Sequence, residues 1–378
     1  MNKNVFANET DVYEEIELWL LDDPYESFLS YMTGRIIGQK DIDLICSNIY
    51  MYLKSVLNGK VINSNTIITA GSGTGKTETY RALKDYFKHE IPSLPVFMVD
   101  TTQLTPTGYK GSNLEDAFSP LFDVKGSGGI VTAPPAIVFL DEFDKRIMGV
   151  DEVFGPAVQY NLLTILEGGM ISTTKRQRFT QNVDTSNVLF FGMGSFDAFK
   201  EKKTKHHGIG FNESETNENV KIITPEVLLE AGAATELVGR FPIVINYDDL
   251  TDEVLDKIID KISYSQAFAF DCDVIIKDCY RQELKSMVNT KFGCRTISNK
   301  MQFDVLKMYT NAMKDNNKND VLEIILDKTH SYKWRKYSAK EIARLKELEE
   351  RPNNIDIEID QIKDELKKIL NRRVINEK

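Results

Sequence analysis

Five short apolar runs, helix-period segments between them, and a fading of strand signals after Leu250 predict an α/β protein. The expected architecture is a five-stranded parallel sheet flanked by helices, followed by a smaller, mostly helical α+β domain. The runs are Thr66-Ile67-Ile68-Thr69, Val96-Phe97-Met98-Val99, Ala136-Ile137-Val138-Phe139-Leu140, Val188-Leu189-Phe190-Phe191 and Ile243-Val244-Ile245. They do not alternate with polar residues and are rich in β-branched and aromatic side chains, as strands buried on both faces are. Helical segments between strands are what parallel crossovers need.

Ahead of the first run, residues 11–29 read as amphipathic helix, with Val12, Ile16, Trp19 and Leu20 at helical spacing and an interruption at Pro24. A second helix is expected over residues 39–57, with Ile42, Ile45, Ile49 and Leu53 on one face. Leu250-Thr251-Asp252-Glu253 is a helix start, Thr251 being the candidate N-cap before acidic first-turn residues. Four segments result: an N-terminal helical extension (1–33), a large domain (34–247), a small domain (248–335) and a charged helical hairpin (336–378) broken at Pro352. Residues 200–219 read as a polar loop.

The 378 residues carry 47 Lys plus Arg against 57 Asp plus Glu, a net charge of −10. An acidic chain lacks the basic surface that phosphate neutralisation requires, so no nucleic-acid partner is expected. Cys46, Cys272, Cys279 and Cys294 show no C-x-x-C spacing, which argues against a zinc ribbon or a thioredoxin-like site. No apolar stretch is long enough to span a bilayer and no signal peptide opens the chain, so a cytoplasmic protein with reduced thiols is expected, without membrane association.

Directly after the first run comes Ala70-Gly71-Ser72-Gly73-Thr74-Gly75-Lys76-Thr77, then a helix expected from Glu78 to Phe87. Strand, glycine-rich loop and helix N-terminus stand in the order of a P-loop. Glycines let successive N–H groups face a triphosphate, and the helix dipole favours the same charge. Lys76 would reach the β- and γ-phosphates and Thr77 would ligate Mg²⁺. Ala70 stands where the motif has its first glycine. The third run ends in Leu140-Asp141-Glu142-Phe143-Asp144, the Walker B arrangement. Asp141 would hold Mg²⁺, and Glu142 would orient and deprotonate the attacking water. The expected cofactors are ATP and Mg²⁺.

Six further segments carry a resemblance. They are Gly34-Arg35-Ile36-Ile37-Gly38-Gln39, Gly108-Tyr109-Lys110-Gly111, Asp141-Glu142-Phe143-Asp144-Lys145, Leu166-Glu167-Gly168, Val183 to Phe190, and Glu236-Leu237-Val238-Gly239-Arg240-Phe241-Pro242. With gaps, from about Gly34 to Arg295, the chain resembles the ClpX family of AAA+ unfoldases. The resemblance implies that Ile36 and Ile37 pack against the adenine and that Arg240 is an arginine finger reaching a neighbour's γ-phosphate. A finger supplied by a neighbour implies a homo-hexameric ring. It also implies that Arg295 is the sensor-2 arginine, and it directs the search for sensor 1 to the residues after Phe191.

The same resemblance makes Tyr109 and Lys110 pore-loop residues that grip unfolded or tagged protein substrates. It makes Ile209, Gly210 and Phe211 a docking loop for a ClpP-type peptidase. Lys110 replaces an apolar residue of the family, and the second pore loop, near 149–155, lacks the family's basic residue. The family's N-terminal zinc-binding domain has no counterpart in residues 1–33, so no zinc is expected. The implied function is an ATP-dependent unfoldase and translocase serving a peptidase. The alternatives are a remodelling chaperone without a peptidase and, further off, a nucleic-acid motor on the same core.

Overall fold

The computed structural model describes residues 9–62, 64–71, 73–105, 112–113, 117–121, 129–147, 155–175, 179–196, 222–230, 233–288, 293–315 and 321–336. They form two compact units: residues up to 258 together with 287–296, and residues 259–286 together with those from 297 onward.

In the first unit all five expected strands form: β1 (Thr66–Thr69), β2 (Val96–Asp100), β3 (Ala136–Asp141), β4 (Val188–Gly194) and β5 (Ile243–Asn246). Every pairing is parallel and the order is β5-β1-β4-β3-β2. Successive residues face opposite sides of the sheet. Ile68, Phe139 and Phe191 enter one apolar cluster, while Ile67, Val138 and Phe190 enter another. Two covered faces explain the unbroken apolar runs.

The first cluster is closed by α1 (Glu9–Leu21), α2 (Tyr25–Arg35), α3 (Ile42–Leu57) and α4 (Lys76–Glu90). The helix expected over 11–29 is two helices, because proline lacks an amide donor and ends α1 before Pro24; Asp23 turns the chain at φ 46°. The residues expected to form an extension are part of this core. Trp19 lies edge-on to Phe28 and Phe87 at 6.0 and 5.8 Å, and its indole donates to Tyr86 Oη at 3.3 Å. Phe28 is fully buried, 4.7 Å from the Tyr86 ring. Phe28→Ala is expected to cost about 3–5 kcal/mol, the range for truncating a buried phenylalanine. Urea unfolding would show this as a lower midpoint at an unchanged slope.

α3 begins at Ile42, later than expected, because Gly38 and Gln39 serve the site described below and Asp41 adopts a left-handed φ of 59°. The second cluster packs the helices Phe143–Ile147, Gly155–Leu166, Pro225–Glu230 and Thr235–Val238 on the opposite face. An antiparallel hairpin, Met170–Lys175 with Phe179–Asp184, is joined in parallel by Gly129–Thr132. The hairpin strands are mostly polar, so no apolar run marks them. Thr251 caps as expected: the Val254 amide donates to its hydroxyl at 3.4 Å, and helix Asp252–Phe270 follows.

The second unit has a three-stranded sheet in the order β6 (Asp273–Ile276), β7 (Val321–Leu326), β8 (Ser331–Arg335). β6 and β7 are parallel, β7 and β8 antiparallel. Ile297, Met301 and Val305 of helix Cys294–Ala312 are buried there, as are Leu322, Ile324 and Leu326 of β7. The hairpin expected over 336–378 lies, but for its first residue, outside the described residues. Among the described residues no helix is long and apolar enough to cross a membrane.

Candidate nucleotide site

Parallel strands bring their carboxyl ends to one edge, where ligands of open α/β sheets bind. Register places Thr69 beside Gly194, Leu140 beside Gly192, and Asp100 beside Asp141. The loop after β1, the acidic turn after β3 and the residues after β4 therefore share that edge.

Gly71 and Gly73 to Gly75 lead into α4, whose first residues are Lys76 and Thr77. Ser72 lies outside the described residues. Thr74 Oγ1 donates to the Gly71 carbonyl at 2.9 Å and closes the turn. Lys76 Nζ donates to the carbonyls of Ala70 and Gly71 at 2.5 and 3.0 Å, crossing its own loop. Ala70 is buried, and its amide donates to the Gly194 carbonyl at 3.2 Å. Gly73 must be glycine on two counts. Its φ is +77°, and a Cβ there would meet the Cys294 amide nitrogen at 2.7 Å and Gly293 Cα at 2.8 Å. Cys294 thus lies against the loop, and burial pushes its thiol up to about 11, which keeps it protonated and unreactive.

That close approach carries Arg295 in. Its Nη2 donates to Thr77 Oγ1 at 3.2 Å across 218 residues of sequence. Among the described residues, Arg295 and not Arg240 is in hydrogen-bond contact with the P-loop threonine. Arg240, just past the helix Thr235–Val238, is half-exposed and ion-paired with Glu167 at the end of helix Gly155–Leu166.

Asp141 ends β3 half-buried, and Glu142 is exposed with a left-handed φ of 53°. A non-glycine residue there stores on the order of 1–3 kcal/mol, held by its surroundings. The Glu142 amide donates to Asp141 Oδ1 at 3.1 Å, and the Glu142 carbonyl accepts from the Lys145 amide at 3.1 Å. Register sets Leu140 beside Gly192 and Gly192 beside Ile67, so the acidic turn and the P-loop leave the sheet at the same edge. Glycine-loop amides, an ammonium, a hydroxyl and a carboxylate form a donor set that fits a magnesium-bound triphosphate.

Three contributors were not legible in the sequence. Asp144 is 3% exposed and accepts from the Phe196 amide at 3.2 Å and from Ser195 Oγ at 3.3 Å. Gly194 leaves no room for a Cβ, which would lie 2.6 Å from Asp144 Oδ1. Since Thr69 Oγ1 donates to the Ser195 carbonyl at 3.3 Å, residues 194–196 join the P-loop strand to the acidic turn. Gln39 is the second contributor. Its amide donates to the carbonyls of Thr74 and Asp248 at 2.9 and 3.1 Å, and its oxygen accepts the Asp248 amide at 2.8 Å. The third is Tyr247, hydrogen-bonded to Thr79 at 2.7 Å, with burial raising its phenol well above the usual range. Gly38 abuts Val254, and the first unit runs on to Ile258, past the expected boundary at 247.

Ile36 is 3% exposed and lies beneath Gly75, whereas Ile37 is half-buried and keeps surface to offer a base. Tyr109, Lys110, Ile209, Gly210 and Phe211 lie outside the described residues.

Residues 62–244 match the family model described as AAA domain (Cdc48 subfamily). The chain is 31% identical over 244 residues to the ATP-dependent Clp protease ATP-binding subunit ClpX of Azotobacter vinelandii, covering 57% of this chain and 54% of the relative. It is 28% identical over 258 residues to the ClpX subunit of Bacteroides fragilis, covering 61% of each chain. With that of Porphyromonas gingivalis it shares 28% over 280 residues, covering 64% of this chain and 66% of the relative. The chain thus spans 54%, 61% and 66% of the length of these three relatives.

Proposed function

We propose that this chain, whose residues 62–244 match an AAA domain model and which is 28–31% identical to ClpX subunits over part of its length, is a ring-forming ATPase that unfolds and translocates proteins, delivering them to a ClpP-type peptidase. The observation that carries this reading is the meeting of P-loop, acidic turn and Arg295 at one sheet edge, with Arg295 on Thr77 at 3.2 Å. A loop that merely bound phosphate would need neither Glu142 nor a distant arginine.

In this reading the P-loop amides and Lys76 hold the triphosphate, and Ile37, backed by Ile36, meets the base. Thr77 and Asp141 hold Mg²⁺, which when bound draws charge from the phosphate oxygens. Glu142 orients the attacking water and takes its proton. Arg295 reads the same nucleotide from its seat on Thr77, and Arg240 stabilises the transition-state charge on a neighbouring subunit. Rings of Tyr109 and Lys110 grip substrate, and Ile209-Gly210-Phe211 docks the peptidase. Small apolar anchors repeated around a ring gain by multivalency.

The test is degradation of a stably folded, tagged fluorescent protein with ATP, with and without a ClpP-type peptidase from the same source. Fluorescence loss accompanied by peptide release only when both are present is expected. Fluorescence loss without peptide release would favour a free-standing chaperone, and an ATPase rate stimulated by DNA or RNA would favour a nucleic-acid motor. Tyr109→Ala is expected to keep ATP turnover within about twofold, as a substitution remote from the phosphates should, while unfolding of the fluorescent protein is lost. Normal unfolding by that variant would sink the pore assignment.

A further inference from the structure

The strap of residues 36–39 that borders the base position is held at both ends. At its far end Gln39 grips Thr74 and Asp248, and Lys40 Nζ pairs with Asp248 at 2.7 Å. At its near end stands Arg35, the last residue of α2. Its Nε and Nη2 donate to Glu78 Oε1 at 3.2 and 3.0 Å, Nη2 donates to Asp85 Oδ2 at 3.1 Å, and Nη1 donates to Tyr31 Oη at 3.1 Å. Glu78 directly follows Thr77 in the first turn of α4, and Asp85 lies two turns on along the same helix face.

We propose that Arg35 is a positioning residue that fixes the spacing between the strap and the P-loop helix, and so sets the fit of the nucleotide base rather than the grip on phosphate. The proposal rests on the nucleotide reading of the site. Only four residues separate Arg35 from Lys40, and Ile36 within them is locked into the core beneath Gly75. A strap this short cannot move relative to α4 without breaking one of its two pins. A guanidinium serves because its fork engages two carboxylates at fixed angles, which a lysine ammonium cannot do. Phosphate affinity arises instead from loop amides, Lys76 and Thr77, whereas the hydrogen bonds of Arg35 described above go to Glu78, Asp85 and Tyr31.

Glu78 is an anion beside the triphosphate position, so removing Arg35 alone would also alter the local charge. The informative variant is Arg35→Met/Glu78→Gln, which deletes the pin at unchanged net charge and keeps an unbranched side chain at 35. Dissociation constants of the full chain would be measured for Mg·ATP and for magnesium inorganic tripolyphosphate, by displacement of a fluorescent ATP analogue. The double variant is expected to bind ATP roughly three- to tenfold more weakly, the scale of a partly exposed ion-pair network. Tripolyphosphate binding should stay within about twofold of the wild type, on the same scale. Arg35→Lys guards against misfolding of the double variant; it should show a smaller, equally base-selective loss. Equal weakening of both probes, or of neither, overturns the proposal. A wild type that binds neither probe overturns the nucleotide reading itself, a result recognisable because no substitution is involved.

Discussion

Replacing Glu142 by glutamine is expected to leave nucleotide bound while turnover falls by about 10²–10⁴-fold, the usual contribution of a positioned general base. Glutamine keeps the size of the side chain and can still orient a water, but it cannot take a proton. The backbone strain at Glu142 is the same for both residues, so the turn should persist, held by Asp141 Oδ1 on one side and the Lys145 amide on the other. Phosphate release under saturating ATP gives the rate, and displacement of a fluorescent ATP analogue gives the affinity. A variant that lost affinity in proportion to rate would place Glu142 in binding, and one that turned over normally would remove it from the site.

Arg240→Ala is the second large effect. Loss of an arginine finger typically costs 10³–10⁵-fold in turnover, and nucleotide binding should be unaffected, because Arg240 pairs with Glu167 and makes no hydrogen bond to the P-loop among the described residues. A mixing experiment separates a finger acting on a neighbour from one acting on its own subunit. In a ring assembled from Arg240→Ala and Glu142→Gln subunits, an Arg240→Ala subunit keeps its own Glu142 and receives an intact arginine from a neighbour. Mixed rings should then hydrolyse ATP faster than either variant alone. If mixing gives only the average of the two, the finger does not act between subunits.

The exposed Arg240–Glu167 pair contributes on the order of 0–1 kcal/mol, as surface ion pairs do. Breaking it to reach a neighbour therefore costs little, and the arginine remains free to exchange partners.

Much of the first unit was legible from local pattern. The five strands lie where unalternated apolar runs stand, because a sheet covered on both faces imposes that pattern on each strand separately. The P-loop and acidic turn were equally legible, since glycine spacing and a carboxylate pair at a strand end are short-range features. The hairpin Met170–Lys175 with Phe179–Asp184 carries no such local signal, because its strands are mostly polar and form by pairing with each other and with Gly129–Thr132. The N-terminal helices were legible as helices but not as core. Nothing local in Trp19 or Phe28 says that both pack on the helix that starts with Lys76 and Thr77.

By itself, then, the sequence determined the strands, the phosphate loop, the acidic turn and the order in which they come, all properties of stretches under ten residues long. Tertiary structure alone decided that Arg295 meets Thr77, that Gln39 spans Thr74 and Asp248, that Asp144 ties residues 194–196 to the acidic turn, and that Arg35 pins α4. The physical reason is common to all four. A long polar side chain has several acceptors within its chemical competence, and the one it finds is set by where the folded chain returns, which no local periodicity records.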